Sequence, residues 1–152
     1  MSLGGPYSAS TNSAVRAIYQ KGVTVVVAAG NENQNANNVS PASETTAITV
    51  GAIDSTDRRA SFSNFGAALD IFAPGVNVLS SWIGSTTATR SISGTSMAAP
   101  HVAGLAAYLI ALEGIATPAA VASRIIALST TGKVISPGTG SVNRISYNGN
   151  GA

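Results

Sequence analysis

The sequence predicts an α/β fold built on a mostly parallel sheet with central helices. Two observations carry this prediction. A helical pattern that ends at Lys21 leads, after Gly22, into the β-branched run VTVVVA at 23–28, which has the composition of a strand buried on both faces. A helix that leads straight into such a strand is typical of a parallel sheet with crossover helices. The length of 152 residues fits one domain, or part of a larger one.

The first third of the chain predicts two strands around one helix. Residues 1–3 have the pattern of a strand end, which the Gly-Gly-Pro at 4–6 breaks. Ser10 or Thr11 is the expected N-cap of a helix that runs to Lys21. The next buried strand covers 23–28.

The middle of the chain predicts a polar loop followed by short strands. Residues 32–41 are rich in Asn and predict a loop. The Ser40–Pro41 bond in this loop could be cis, but the low frequency of cis bonds argues against assuming it. The apolar runs at 46–52, 69–73 and 76–82 each predict a strand.

The last third predicts two helices and a short strand. The helix that begins at Ser96 or Met97 and ends near Leu112 is apolar nearly all round, so we expect little of it to be exposed. Thr117 is the expected cap of a helix from 118 to 128, with proline at its first position. Residues 142–146 predict a last strand.

Composition excludes several classes of protein. Charged residues make up only 9% of the chain and the formal net charge is +2, so no basic surface for nucleic acid is predicted. There is no cysteine, which excludes disulfides and thiolate chemistry. No uninterrupted apolar run reaches membrane-spanning length, and residues 1–6 lack the pattern of a signal peptide. The low charge favours an extracellular protein.

The segment SISGTSMAAPHVAG at 91–104 carries the strongest chemical signal. It leads from a β-type segment through small residues into a helix, and Ser96 stands where that helix begins. Unpaired N–H groups and the helix dipole at that position favour the negative charge that develops when a hydroxyl attacks a carbonyl. The alternative is that Ser96 is only a helix cap.

This segment closely resembles the nucleophile segment of the subtilisin-like serine peptidases, with Ser96 in the nucleophile's place. The segment VVAAGN at 26–31 resembles the one that carries the oxyanion-hole asparagine, which implies that Asn31 stabilises the tetrahedral oxyanion. The resemblance extends over essentially all 152 residues and is greatest for the proteinase K-like subgroup. It implies a three-layer fold, incomplete on its N-terminal side, and makes residues 1–152 the C-terminal part of a catalytic domain.

The same resemblance implies substrate-binding residues. Ser2, Leu3 and Gly4 match the strand that pairs with an extended peptide substrate. Residues Ala28, Ala29 and Gly30 match a wall of the pocket for the side chain that precedes the scissile bond.

A structural calcium ion is also implied by the resemblance. By position, Asp70 is the carboxylate ligand, and the backbone carbonyls of Thr45 and Ala47 complete the protein's share of the site. One carboxylate with carbonyls and water suits a hard cation.

The chain departs from the family pattern in its acid and base. A serine nucleophile needs a His base and an Asp that orients it. The single histidine, His101, follows Ser96 by five residues, about 140° around a helix and about 7.5 Å along it, so it points away from the hydroxyl. No Asp lies in a segment that matches the family's Asp motif. We therefore expect the isolated chain to be inactive, with an N-terminal remainder of the catalytic domain supplying both residues.

The segment around Ser96 leaves two other interpretations to consider. The segment GTSMA at 94–98 faintly resembles the nucleophile elbow of α/β-hydrolases, but only Glu113 and His101 follow Ser96 as acid and base, which fails that pattern. The other alternative is a truncated, inactive chain that binds a peptide or a partner without cleaving it.

Overall fold

A computed structural model describes residues 1–150. In chain order, the elements are β1 (Gly5–Pro6), α1 (Ala9–Gln20), β2 (Val26–Ala28), a 3₁₀ turn (Ala36–Asn38), β3 (Val39–Ser40), β4 (Ile48–Ile53), β5 (Ile71–Pro74), β6 (Val78–Ser81), β7 (Thr89–Ile92), α2 (Thr95–Glu113), α3 (Pro118–Leu128), β8 (Thr130–Thr131) and β9 (Arg144–Ile145).

The main sheet has five strands in the order β2-β4-β5-β9-β8. The first three pairings are parallel, and only β8 runs antiparallel to its neighbour. The predicted α/β fold with a mostly parallel sheet is therefore confirmed. The remaining strands form two small antiparallel pairs, β1 with β3 and β6 with β7.

Alternate residues of β2 point into cores on opposite faces of the sheet. Val26 and Ala28 belong to the large core beneath α2, whereas Val27 packs with Val15 of α1. Both faces of this strand are buried, as the β-branched run predicted. Helices therefore lie on both sides of the sheet, in three layers.

Helix α2 is more exposed than its composition predicted. One face packs on β2, β4 and β5 through residues such as Val102 and Leu109, which are fully buried. The other face is open: Ala103 and Ala107 are exposed, as is Ile110. The expectation of little exposure was wrong for residues 1–150, since the sheet covers only one side of the helix.

By length and composition α2 could cross a membrane, because its best 18-residue window has a mean hydropathy of 1.4. The helix contains no uninterrupted apolar run of that length, because small polar residues and a histidine are interspersed along it. The contacts with three strands of the main sheet are those of a core helix.

Several predicted boundaries differ from the structure. Helix α1 is capped by the Ser8 side chain, upstream of the predicted caps. Residues 5–6, predicted to break a strand, form β1, and the predicted loop at 32–41 contains its partner β3. The two-residue ladder has no local apolar pattern to reveal it. The Ser40–Pro41 bond is cis, the isomer that the base rate argued against. Local sequence carries little information on this isomer, which the surrounding contacts select.

Strand β2 is an outer strand of the sheet, as expected for a sheet that is incomplete on its N-terminal side. On the side of β2 away from β4, within residues 1–150, the strand's backbone bonds only to that of Met1, through hydrogen bonds with Val26 and Ala28. Beside this edge lies an open groove of about 580 Å³ between α1, β2 and α2. Apolar side chains line much of it, including Ile18, Val23 and Ile110.

Candidate active site

Ser96 is the second residue of α2 rather than its cap. The N-cap is Gly94, which makes no side-chain capping bond, so the alternative in which Ser96 only caps the helix is excluded. The Ser96 N–H donates to no acceptor within residues 1–150. Its hydroxyl donates weakly to the Ser2 carbonyl, with an O···O distance of 3.5 Å. Ser96 therefore presents a lightly engaged hydroxyl and a free N–H at the positive end of a helix.

The side chain of Asn31 is held beside Ser96 by its oxygen. Asn31 Oδ1 accepts hydrogen bonds from the Thr95 N–H at 2.8 Å and from the Thr95 hydroxyl at 2.9 Å. With the oxygen so engaged, the NH₂ group is left as a donor, and it has no acceptor within the described part of the chain. A Cβ built on Gly94 would lie 3.8 Å from this Nδ2 atom, so the amide reaches the segment just before the nucleophile.

Thr95 is a site residue that the sequence analysis missed. It is fully buried, donates twice to Asn31, and accepts the Gly30 N–H through its hydroxyl at 3.1 Å. It thereby links the nucleophile helix to the loop after β2. Only its position next to Ser96 could have signalled this role, because Thr is common at helix starts for capping alone.

The predicted substrate strand lies against the nucleophile. The Ser2 hydroxyl donates to the Ser96 carbonyl at 2.8 Å, although the two residues are 94 positions apart. Leu3 is 57% exposed and Gly4 is also exposed. An extended peptide therefore has access to this backbone.

The predicted pocket wall is less accessible by its side chains. Ala28 and Ala29 are buried in the core, while Gly30 is half-buried at the surface beside Asn31. The surface that these three residues can offer a substrate is therefore mostly backbone.

His101 is tied to its own helix. Its Nδ1 atom lies 2.8 Å from the Met97 carbonyl, one turn earlier, and must carry the hydrogen to make this bond. Within residues 1–150, Ser96 has no hydrogen bond to an imidazole or a carboxylate. The arrangement agrees with the expectation that His101 is not the base.

Asp70 lies at a cavity of about 300 Å³ that Thr45 also lines, whereas Ala47 does not line it. Burial raises the pKa of the Asp70 carboxyl, and hydrogen bonding to the Thr49 N–H and the charge of Arg144 only partly oppose this. Residues 1–150 contain no cluster of three or more acidic, histidine or cysteine residues that could hold a metal. A cation at this cavity would therefore depend on one carboxylate with carbonyl oxygens and water.

A profile of the subtilase family matches residues 1–147. The chain belongs to the subtilase family. It is 65% identical over its full length to subtilisin-like protease 2 of Pseudogymnoascus destructans and 62% identical to the alkaline proteinase of Hapsidospora chrysogena. The structure also superposes on a cold-adapted subtilisin-like serine proteinase with a TM-score of 0.91, at 43% identity over 97% of this chain.

This subtilase chain spans only part of each relative. It covers 38% of each of the two fungal proteins and 53% of the superposed proteinase. All three are proteases by name, and the superposed protein is named a serine proteinase, which agrees with the resemblance of the segment around Ser96.

Proposed function

We propose that this chain is the C-terminal part of the catalytic domain of a secreted serine endopeptidase, in which Ser96 attacks the peptide carbonyl. The observation that carries the proposal is the free NH₂ group of Asn31, held beside Ser96 by two bonds from Thr95. An amide NH₂ and the Ser96 N–H together form the pair of donors that a tetrahedral oxyanion needs.

The triad acid and base would come from an N-terminal remainder of the domain. The proposal is supported by the relatives, of which this chain covers 38%, and by the surfaces that the fold leaves open. The groove beside β2 and the apolar open face of α2 adjoin each other, since Ala103, Ala107 and Ile110 line both. A further strand and helix would bury this surface.

Labelling with a fluorophosphonate tests the proposal directly, because the probe reacts with an activated serine. The chain would be treated alone and after joining to the N-terminal part of the Pseudogymnoascus relative, with the Ser96→Ala variant as control. We expect labelling of Ser96 only in the joined protein. Stoichiometric labelling of Ser96 in the isolated chain would show that a base reaches it without the remainder, and failure of the joined protein to react would contradict the proposal.

The second candidate function is peptide binding without cleavage. The exposure of Leu3 and Gly4 favours it, as does the absence, within residues 1–150, of a base hydrogen-bonded to Ser96. It predicts that the isolated chain binds an extended peptide, measured by fluorescence anisotropy, and that the joined protein still fails to cleave it.

We also propose that Asp70, with the carbonyl of Thr45, holds a structural calcium ion; the Ala47 carbonyl, which the family resemblance also implied, is left out because Ala47 does not line this cavity. Burial disfavours the charged form of the Asp70 carboxyl and raises its pKa, and a cation bound in the cavity would stabilise that charged form. Calorimetric titration of the chain with calcium should give one binding site that Asp70→Asn removes. Equal binding by the variant would place the ion elsewhere.

A further inference from the structure

We infer that Asn64 is a positioning residue, which holds the loop of Asn31 in the shape that aims the oxyanion donor. This inference rests on the function proposed above. Asn64 is fully buried and lies 33 positions after Asn31, in a segment that the sequence analysis assigned no chemistry. Its side chain bonds to both ends of the segment 29–34, which contains Asn31 near its middle.

All the bonding groups of the Asn64 amide are used on this one loop. The NH₂ group donates to the Ala29 carbonyl at 2.8 Å and to the Glu32 carboxylate at 2.7 Å. The oxygen accepts the N–H groups of Glu32 at 3.1 Å and Gln34 at 2.9 Å. These contacts restrain the backbone on both sides of Asn31, before it at Ala29 and after it at Glu32.

The fit of Asn64 under the loop is close. A Cβ on Gly30 would lie 2.3 Å from Asn64 Nδ2, and Gly30 has a φ of +100°, so only glycine suits this position. The Gly30 N–H is the group that donates to the Thr95 hydroxyl. Asn64 therefore lies against Gly30, and the Gly30 N–H bonds to Thr95, the residue that holds the Asn31 oxygen.

Asn64 acts on Asn31 only through the backbone of the loop, since the Asn64 side chain makes no bond to the Asn31 side chain. Asn64 should therefore affect catalysis only while Asn31 is present. This condition separates positioning from a general contribution to stability.

The first arm of the test needs no activity. Amide hydrogen exchange is measured by NMR on the 152-residue chain and on its Asn64→Asp and Asn64→Ala variants. Asp keeps the acceptor for the N–H groups of Glu32 and Gln34, whereas Ala removes it. We expect exchange of these two amides to speed up by about tenfold or more in Asn64→Ala and by less in Asn64→Asp, without a similar change in the β4 amides.

The second arm measures kcat and KM of the protein joined to the N-terminal part of the Pseudogymnoascus relative. Asn64→Asp should lower kcat about 10- to 100-fold with KM nearly unchanged, but should have less than about a threefold effect when Asn31→Ala is already present. Adding Glu32→Gln to Asn64→Asp should restore part of kcat, because the Gln amide can donate to the new carboxylate.

The matched control is Asn143→Asp. Asn143 likewise uses both ends of its side-chain amide to hold one loop, since its oxygen accepts the Val134 N–H and its NH₂ group donates to the Val134 carbonyl. The Asn143→Asp substitution should leave kcat unchanged. Equal losses from Asn64→Asp with and without Asn31, or unchanged exchange at Glu32 and Gln34 in Asn64→Ala, would overturn the inference. If the joined wild-type protein is inactive, the proposed function fails, and the exchange arm alone decides the role of Asn64.

Discussion

Replacing Gly51 with alanine should destabilise the fold by filling a space that the Phe72 ring already occupies. Gly51 lies in β4 directly opposite Phe72 of β5. A Cβ added there would lie 2.5 Å from Phe72 Cε1 and 2.7 Å from Leu69 Cδ2. Phe72 and Leu69 are 0% and 1% exposed, so neither side chain can move into solvent.

The size of the effect follows from two opposing contributions. Forcing one extra carbon into a closed core typically costs about 1–3 kcal/mol, and contacts this short favour the upper part of that range. Replacing glycine within a strand recovers about 0.5–1 kcal/mol of chain entropy. We expect Gly51→Ala to lower the free energy of unfolding by about 2 kcal/mol.

Urea denaturation followed by circular dichroism measures this change, with Phe72→Leu and the double variant completing the cycle. The smaller side chain at 72 should make the two substitutions together less damaging than the sum of each alone. A Gly51→Ala variant as stable as the parent, or strictly additive effects, would refute the packing argument.

Three further predictions concern the charged and capping groups. Arg16→Ala should lower the free energy of unfolding by about 1–2 kcal/mol, because the Glu44 side chain that it pairs with is 1% exposed. Arg124→Ala breaks the more open pair with Glu113 and should cost much less; urea denaturation compares the two variants. The Thr56 hydroxyl and N–H lower the pKa of Asp54, so its contribution to stability is present above the unfolded-state pKa and is lost as pH falls through the folded-state pKa. The stability difference between the parent and Asp54→Asn should therefore shrink in acid, and a difference independent of pH would contradict this. Thr117→Ala should cost about 1 kcal/mol in thermal unfolding, because it removes the cap that accepts the Ala120 N–H, and Thr117→Ser should restore most of the loss.

Features that depend on neighbouring residues were predicted well. The cap at Thr117, the proline at the first position of α3 and the buried run of β2 were all evident in the sequence. Each depends on backbone or side-chain preferences that act within one turn or one strand, so a short window of sequence contains the information.

The exposure of α2 shows where such patterns fail. An apolar helix has the same sequence whether one or two layers cover it, and here the sheet covers only one face. The β1–β3 ladder was missed for a related reason, because two-residue strands have no period to detect.

By itself, the sequence determined the types of residue in the site and the segments that present them. Ser96 at the start of a helix and Asn31 after a buried strand follow from local pattern and resemblance. Only the tertiary structure decided how they meet: Thr95 engages the Asn31 oxygen across 64 positions, and Asn64 holds the loop from 33 positions beyond Asn31. Hydrogen-bond partners so distant are set by the order and register of the parallel strands, which no short stretch of sequence encodes.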